Sequence, residues 1–282
     1  MVRRATPADA DVCGRIAYDA FASINTRHGF PPDFPSVEVA RQVVGAMLSH
    51  PRVFCVVAEL DGRIVGSNCL DERDTVAGIG PITVDPAVQD RGIGRMLMDA
   101  VLERARERKF ASVRLLQAAF HSRSLSLYTK LGFDPREMIA TMQGPHISGF
   151  DGGANVRPAA EADVDAAARI CQAVHGHTRS GELRDAIAHG SAMVVERLGR
   201  VTGYTSAMAF FGHTVAESNQ DMKCLIAAAP EFGGPGILVP VRNADLFRWC
   251  LNNGLRVVHT MTLMSLGEYS ESAGPYMPSI LY

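Results

Sequence analysis

Apolar positions in this chain follow two spacings, and the change from one to the other predicts where helices and strands lie. Between positions 93 and 109 the apolar residues recur every three or four places, which predicts a helix with one buried face. The apolar residues of that face are Leu97, Met98, Val101, Leu102 and Ala105. Residues 112–116 are typical of a strand, and residues 122–133 of a second helix that ends at Gly132.

A glycine-containing turn comes directly before the first of these helices. The first N–H groups of a helix have no partner within it, and the helix dipole makes that end positive, so a diphosphate is a natural ligand there. Gly92 and Gly94 place no Cβ atom between phosphate oxygens and the main chain, and Arg91 and Arg95 add charged donors. The predicted binding residues of the turn are Gln89, Asp90, Arg91, Gly92, Ile93, Gly94 and Arg95.

The turn lacks the marks of two other phosphate-binding motifs. No Lys-Ser or Lys-Thr pair follows the glycines, which argues against a P-loop. A Rossmann dinucleotide site would have a third glycine and an acidic residue about twenty positions on, and neither is present in that form. The spacing Gln-x-x-Gly-x-Gly after a strand instead resembles the acetyl-CoA signature of the GNAT superfamily of N-acetyltransferases.

The second helix strengthens this resemblance. In GNAT enzymes the corresponding segment commonly reads Asn-x-x-Ala-x-x-Leu-Tyr-x-Lys-x-Gly-Phe. The residues of this chain at those places are His121, Ser124, Leu127, Tyr128, Lys130, Gly132 and Phe133. The clear departure from the family pattern is His121, which stands where the family has Asn.

The resemblance implies a cosubstrate and a mechanism. The strand that contains Ile82, Thr83 and Val84 would splay from its neighbour and pair with the pantetheine arm of acetyl-CoA. One of its N–H groups would then face the oxyanion of the tetrahedral intermediate. Tyr128 would give a proton to the departing CoA thiolate, because a phenol with a pKa near 10 stays protonated at neutral pH. The resemblance implies no metal.

Several of these roles have structural alternatives. Tyr128 could instead pack its ring beneath the sheet. His121 and Ser124 are candidates for contacting the cosubstrate. His121 could instead cap its helix. No general base is evident, because residues 78–81 read Gly-Ile-Gly-Pro where some family members carry a catalytic Glu. Three carboxylates lie just before that stretch, those of Asp71, Glu72 and Asp74. They are either bases that act through a water or solvated charges of a turn.

A faint internal repeat divides the chain. Residues 2–11 are echoed by residues 156–165, so that Arg3 corresponds to Arg157 at an offset of 154, and both stretches predict a strand followed by a helix. The hairpin at residues 57–66 is matched at residues 194–203. In the first copy, residues 89–95 form the predicted phosphate cradle at the start of a helix. The corresponding helix of the second copy has no glycine pair and no arginine at its start. We therefore predict that only the first copy binds CoA.

The predicted fold is α/β, with two tandem GNAT-like domains that are each a mixed, mostly antiparallel sheet flanked by helices. Residues 1–146 are predicted to form the acetyl-CoA-binding catalytic domain, residues 147–155 a linker, and residues 156–282 a degenerate GNAT-like domain. The alternative for the linker is a long loop within one domain. The resemblance to GNAT enzymes implies that residues 25–34, for which the second copy has little room, form an acceptor-side wall. Residues 274–282 are either a final edge strand or a segment that docks in the catalytic domain.

Composition narrows the class of protein. The chain has 282 residues, 47% of them hydrophobic, and a formal net charge of -2, which suits a globular protein and argues against a nucleic-acid partner. No run of about twenty apolar residues and no signal segment is found, which predicts no membrane partner and a cytoplasmic location. The six cysteines have no metal-binding spacing and are predicted to be free thiols, with one disulfide left open. A homodimer is also left open.

The predicted activity is N-acetyl transfer, in which an acetyl group moves from acetyl-CoA to a primary amine by direct attack in a ternary complex. Two alternatives belong to other classes of protein. The same cradle would serve a non-catalytic acyl-CoA-binding regulator. An interaction protein whose second domain recruits a polypeptide acceptor would also fit. The sequence does not identify the acceptor.

Overall fold

The computed structural model describes residues 1–282, and the two halves of the chain run through the same order of helices and strands. The first half contains β1 (Val2–Arg4), α1 (Ala10–Arg27), α2 (Val37–Ser49), β2 (Val53–Leu60), β3 (Arg63–Asp71), β4 (Ala77–Ile79), β5 (Thr83–Val84), α3 (Ile93–Glu107), β6 (Ser112–Ala118), α4 (Ser122–Lys130) and β7 (Asp134–Gln143). The second half contains β8 (Asn155–Pro158), α5 (Val164–His175), α6 (Ser180–Ala188), β9 (Met193–Arg197), β10 (Arg200–Thr205), β11 (Thr214–Ala216), α7 (Asn219–Ala228), β12 (Ile237–Pro240), α8 (Ala244–Asn252), β13 (Arg256–Gly267) and β14 (Tyr276–Met277).

An ion-pair network that occurs twice confirms the internal repeat. In the first half, Arg3 donates from Nη1 to Asp9 Oδ2 at 2.8 Å and from Nε to Glu59 Oε1 at 2.7 Å. In the second half, Arg157 donates to Asp163 Oδ2 and to Glu196 Oε1, both at 2.7 Å. In both halves the aspartate also accepts the backbone N–H of the residue three positions before it, Thr6 for Asp9 and Ala160 for Asp163. Each network therefore ties the first strand to the hairpin and to the first helix of its copy.

The two halves share one sheet, which the sequence did not predict. The larger sheet has nine strands in the order β1-β2-β3-β4-β6-β13-β7-β12, with β5 paired to β3. Strand β13 of the second half lies between β6 and β7 of the first and is antiparallel to both. The smaller sheet has the order β14-β11-β10-β9-β8. The sheet that holds all strands of the first half thus also includes β12 and β13, so the strands of the second half are divided between the two sheets.

The helix over the larger sheet buries the face that the sequence predicts. Leu97, Met98 and Val101 of α3 are fully buried, and Leu102 and Ala105 are nearly so. They belong to a core cluster that also contains Tyr128 and Phe133 and residues of β2, β3 and β6. Burial of each such aliphatic side chain contributes about 1.5–3 kcal/mol to folding. The packing of α3 therefore holds its N-terminus in place beside the sheet.

Two sequence predictions are wrong in detail. The free-thiol prediction fails for Cys55 and Cys69, which form a disulfide because the β2–β3 register places them directly opposite each other, with Cα atoms 4.1 Å apart. The other four cysteines are free and buried. The second error concerns residues 204–216, whose sequence predicts one continuous strand but which the structure interrupts with a loop over residues 206–213.

Two further features bear on the class of protein. No helix combines the length and apolar character needed to cross a bilayer. No group of three or more His, Cys, Asp and Glu side chains is arranged to hold a metal ion.

Candidate functional site

A cleft opens in the larger sheet where β5 leaves its neighbour. Strand β4 pairs in parallel with β6 only at Ala77 opposite Val113 and at Gly78 opposite Arg114. The chain then turns at residues 80–81, and β5 pairs with β3 alone. The backbone groups of β5 on the β6 side therefore have no strand partner. This is the splay that the family resemblance implies, and it opens into a cavity of about 410 Å³.

The cavity gathers nearly all of the predicted site residues in one place. The predicted residues that line it are Ile82, Thr83, Val84, Gln89, Asp90, Gly92, Ile93, Gly94, Arg95, His121, Ser124 and Tyr128. Arg91 is exposed and does not line the cavity. The sequence motifs, which lie on a strand, two turns and two helices, thus converge on a single site.

The N-terminus of α3 has the free donors that a diphosphate requires. The first N–H that bonds within the helix belongs to Met96, which donates to the carbonyl of Gly92 at 3.1 Å, so the N–H groups of residues 93–95 have no helical partner. Gly92 caps the helix with a left-handed φ of +78°, and a side chain built there would meet no protein atom. A side chain at Gly94 would have only ordinary contacts, the nearest at 3.7 Å from Leu127.

An arginine that the sequence did not single out holds the cradle turn to α4. Arg123 donates from Nη2 to Gln89 Oε1 and from Nη1 to both carboxylate oxygens of Asp90, all at 2.7 Å. Gln89 in turn donates from Nε2 to the carbonyl of Val84 at 3.2 Å. These contacts join the turn, β5 and α4. They also pair the charge of Asp90, which would otherwise repel an anion in the cradle.

Tyr128 lies both in the core and in the cavity wall. Its ring packs in the core, with its centroid 6.2 Å from that of Phe133, and the residue is 6% exposed. It also lines the cavity. Burial raises the pKa of Tyr128 further above its ordinary value of about 10, so its hydroxyl is protonated throughout the neutral range.

His121 and Ser124 lie at the start of α4. His121 occupies the N-cap position, but its side chain makes no capping hydrogen bond, and the ring lines the cavity. Burial, helped by the nearby charge of Arg123, lowers the pKa of His121. The hydroxyl of Ser124 donates to the carbonyl of His121 at 2.9 Å and accepts from Gln117 Nε2 at 3.0 Å. The His121 ring thus remains available to a ligand, whereas the Ser124 hydroxyl has protein partners.

None of the three carboxylates considered as bases in the sequence lines the cavity. Asp71 is bound by Arg73 at 2.6 Å and Glu72 by Arg104 at 2.6 Å. The carboxylate of Asp74 accepts two backbone N–H groups at the start of α6, those of residues 181 and 182. All three are therefore structural contacts rather than solvated turn charges or bases.

Comparison with known proteins agrees with this geometry. Residues 20–133 match the sequence model of the Acetyltransferase (GNAT) family. The chain contains a GNAT domain. A mycothiol acetyltransferase from Tsukamurella paurometabola is 28% identical over 142 residues, which are 47% of this chain and 47% of that protein. The match thus spans about half the length of that curated relative.

Two solved structures resemble the chain over nearly its whole length. A Pyrococcus horikoshii protein described as an acetyltransferase has a TM-score of 0.76 at 22% identity, covering 98% of this chain and 92% of its own. A tandem GNAT protein from the clavulanic acid biosynthesis pathway has a TM-score of 0.55 at 13% identity, covering 96% of this chain and 99% of its own. At these identities the likeness concerns the fold, and it extends the tandem GNAT-like architecture to both halves.

The second half of the chain forms part of the cavity wall of the GNAT domain. Its lining residues are Phe210, Phe211, His259, Met261, Ile280 and Leu281. Both readings of the last segment prove correct in part, because Tyr276–Met277 form the edge strand β14 while Ile280 and Leu281 reach the GNAT domain. A side chain at Gly78 would collide with the backbone of Leu281, which shows how closely this segment packs on β4.

The corresponding cleft of the second half is filled by the protein itself. Ser218 caps α7 and accepts the N–H of Asp221 at 3.2 Å, and the buried Asp221 carboxylate is paired with Arg197 at 2.9 Å. The Ser218 hydroxyl therefore already accepts one of the helix-start N–H groups that a phosphate would need. Strand β14 also pairs with β11 and packs against β12, where the GNAT domain has its open cleft.

Proposed function

We propose that this protein is an N-acetyltransferase that transfers an acetyl group from acetyl-CoA to a primary amine by direct attack in a ternary complex. The observation that carries the proposal is the cleft between β5 and β6, which has a free helix N-terminus at one side and Tyr128 in its wall. The match to a mycothiol acetyltransferase over part of the chain supports acetyl transfer as the reaction class.

The residues of the cleft fit acetyl-CoA. The N–H groups of residues 93–95 would bind the diphosphate, with Arg95 as an exposed cation beside them. The unpaired edge of Ile82, Thr83 and Val84 would hydrogen-bond the pantetheine arm, as an added strand does. Gln117 offers a buried Oε1 that has no hydrogen-bond partner in the protein. An amide N–H of the ligand would satisfy it.

Two groups of the chain act on the reacting atoms in this proposal. A backbone N–H of β5 donates to the thioester oxygen and stabilises the negative charge that develops when the amine nitrogen attacks. Tyr128 donates its phenolic proton to the sulfur as the carbon–sulfur bond breaks, because its burial keeps it protonated. The proton that the nitrogen loses restores the phenol through solvent.

We also propose a division of labour between the halves. Residues 1–146 bind acetyl-CoA and carry the catalytic groups, residues 147–155 act as the linker, and residues 156–282 are a degenerate GNAT-like domain that supplies strand β13 and part of the cavity wall. The filled cleft of the second half supports one CoA site per chain. The proposed location is the cytoplasm, with acetyl-CoA and an amine as the partners and neither nucleic acid nor a membrane among them.

Calorimetry and CoA release test this function together. Titration of the full chain with acetyl-CoA should give one site per chain, since the start of α3 has no side-chain cap whereas Ser218 caps the corresponding helix α7. Release of free CoA should follow when amines are added from a panel of alkylamines, arylalkylamines, amino acids, polyamines, aminoglycosides and peptide N-termini. Binding without release across the panel would favour a non-catalytic regulator. Release with peptides alone would favour a second domain that recruits polypeptides. Two equivalent sites would contradict the division of labour.

A further inference from the structure

A buried carboxylate and a buried imidazole lie together in the cavity wall and have no role in the steps above. Asp33 belongs to the loop between α1 and α2, within the predicted acceptor-side wall, and His259 belongs to β13 of the second half. Nε2 of His259 lies 3.9 Å from Oδ1 of Asp33, and the two side chains are 4% and 18% exposed respectively. Both residues line the cavity. The pair thus joins the two halves of the chain at the site.

Asp33 carries a charge that the protein does not neutralise. Only two carboxylates line the cavity, and the other, Asp90, is paired with Arg123 at 2.7 Å. No Lys or Arg side chain forms an ion pair with Asp33, whose polar neighbours are His259 and the uncharged side chain of Asn25. A largely buried carboxylate without a cation is costly. A cationic ligand in the cavity would offset that cost.

An unsatisfied hydrogen-bonding atom lies at the same place. Nδ1 of His259 is buried and has no hydrogen-bond partner. The side-chain amide of Asn25 is buried beside Asp33, and its hydrogen bond lowers the pKa of that carboxyl. Counted over the whole residue, Asn25 is 2% exposed and His259 is 6% exposed, and both line the cavity. Buried polar groups in native proteins are nearly always paired, so such atoms at a cavity wall indicate a ligand with complementary groups.

The rest of this part of the wall is aromatic. The ring of His259 packs against Phe30 and Phe120, with centroids 5.7 Å and 5.5 Å away. Phe210 and Phe211 of the second half complete the wall. Rings of this kind bury apolar area and stack on flat groups. Together with the charge of Asp33, these rings favour a ligand whose cationic end is joined to an apolar group.

We propose that Asp33 and His259 form the acceptor subsite for a primary amine attached to an apolar, preferably aromatic, group. This inference rests on the proposed function. The acceptor enters as an ammonium ion, and Asp33 holds it and takes one proton, which passes to solvent. His259 Nδ1 accepts a hydrogen bond from the same nitrogen. The freed lone pair forms the carbon–nitrogen bond, the carbon–sulfur bond breaks, and the sulfur leaves with its electron pair and is protonated from Tyr128. After the attack the nitrogen loses its second proton, which passes through solvent and restores the Tyr128 phenol.

The ionisation of the pair suits these roles. Burial raises the pKa of Asp33 to about 6, which makes it a stronger base than an exposed aspartate while leaving it ionised at neutral pH. Burial lowers the pKa of His259, so its ring is neutral and Nδ1 can accept. The other titratable side chains of the wall are Arg27, Asp90, Arg95, His121, Arg123 and Tyr128. Because the base is the ionised form, kcat/KM should rise as the pH increases through about 6.

Calorimetry with phenethylamine, on the full chain saturated with CoA, tests the subsite without turnover. We expect the neutral isostere phenethyl alcohol to bind at least about tenfold more weakly, because it lacks the charge that Asp33 attracts. Asp33→Asn should abolish this preference. Asp19→Asn, which removes the same charge from an exposed position of α1, should keep it. Equal binding of amine and alcohol, or a preference that survives in Asp33→Asn, would overturn the inference.

Kinetics separate this inference from the proposed function. Asp33→Asn should lower kcat/KM for phenethylamine by about a hundredfold and remove the rising limb near pH 6, with acetyl-CoA affinity unchanged. His259→Gln should mainly raise KM for the amine.

If phenethylamine binds but CoA is never released, the function fails and the subsite stands. If CoA is released and Asp33→Asn reacts like the parent, the subsite fails and the function stands. Reaction with glucosamine but not phenethylamine overturns the apolar selectivity.

Discussion

Replacing Tyr128 by Phe is expected to lower kcat by about a hundredfold while leaving the affinity for acetyl-CoA nearly unchanged. The ring lies in the core beside Phe133, so the Phe variant keeps the packing and removes only the hydroxyl. The thiolate would then leave without its proton donor. Stopped-flow or quenched single-turnover assays with a reactive amine measure the chemical step directly, and calorimetry measures acetyl-CoA binding.

The pH profile gives a second readout of the same group. An acid is active in its protonated form, so the rate should fall as the pH rises past the pKa of Tyr128, which burial places above the ordinary value of about 10. Tyr128→Phe should lack this limb. Tyr18→Phe on α1 is a matched control, since Tyr18 does not line the cavity, and should react like the parent. A parental single-turnover rate in Tyr128→Phe would remove this residue from the mechanism.

The other large effect is expected from Gly94→Glu, which should weaken acetyl-CoA binding by at least about a hundredfold, or about 2.8 kcal/mol. Gly94 is the second residue of α3, and a side chain there meets only ordinary contacts, so the fold should tolerate it. The added carboxylate would lie among the N–H groups that the diphosphate needs and would repel it. Calorimetry gives the affinity, and thermal unfolding checks that the protein is intact.

The repeat offers a matched control for this variant. Gln220 is the second residue of α7 and is exposed, so Gln220→Glu places the same charge at the same helical position of the second half. Since that helix start is already occupied by the side chains of Ser218 and Asp221, acetyl-CoA binding should not change. Strong binding that persists in Gly94→Glu, or binding lost in Gln220→Glu, would contradict the assignment of the cradle to α3.

The cradle was predictable because its geometry is local. A glycine with left-handed φ at position 92, followed by an amphipathic helix, produces free N–H groups wherever the helix is packed. The convergence of Tyr128 and His121 on the same cavity followed from the family pattern rather than from spacing alone. Arg123 was missed, because nothing in its immediate sequence shows that its partners, Gln89 and Asp90, lie across the cleft.

The acceptor side was not predictable from the chain in the same way. Asp33 and His259 are 226 positions apart in sequence, and they meet because β13 inserts between β6 and β7. The same exchange means that cutting the chain after the first half would remove a central strand, so the halves are not independent units. The disulfide between Cys55 and Cys69 likewise depends on strand register, which spacing along the chain does not reveal.

The sequence by itself indicated the helices and strands around the cradle, the internal repeat, the free N–H groups of the cradle and the resemblance to GNAT enzymes, because each depends on residues close together in the chain or on a repeated pattern. The tertiary structure alone decided which strands pair, which cleft stays open and which side chains face the acceptor. Those outcomes depend on burying apolar surface from both halves at once. No local pattern specifies a partner strand more than a hundred residues away.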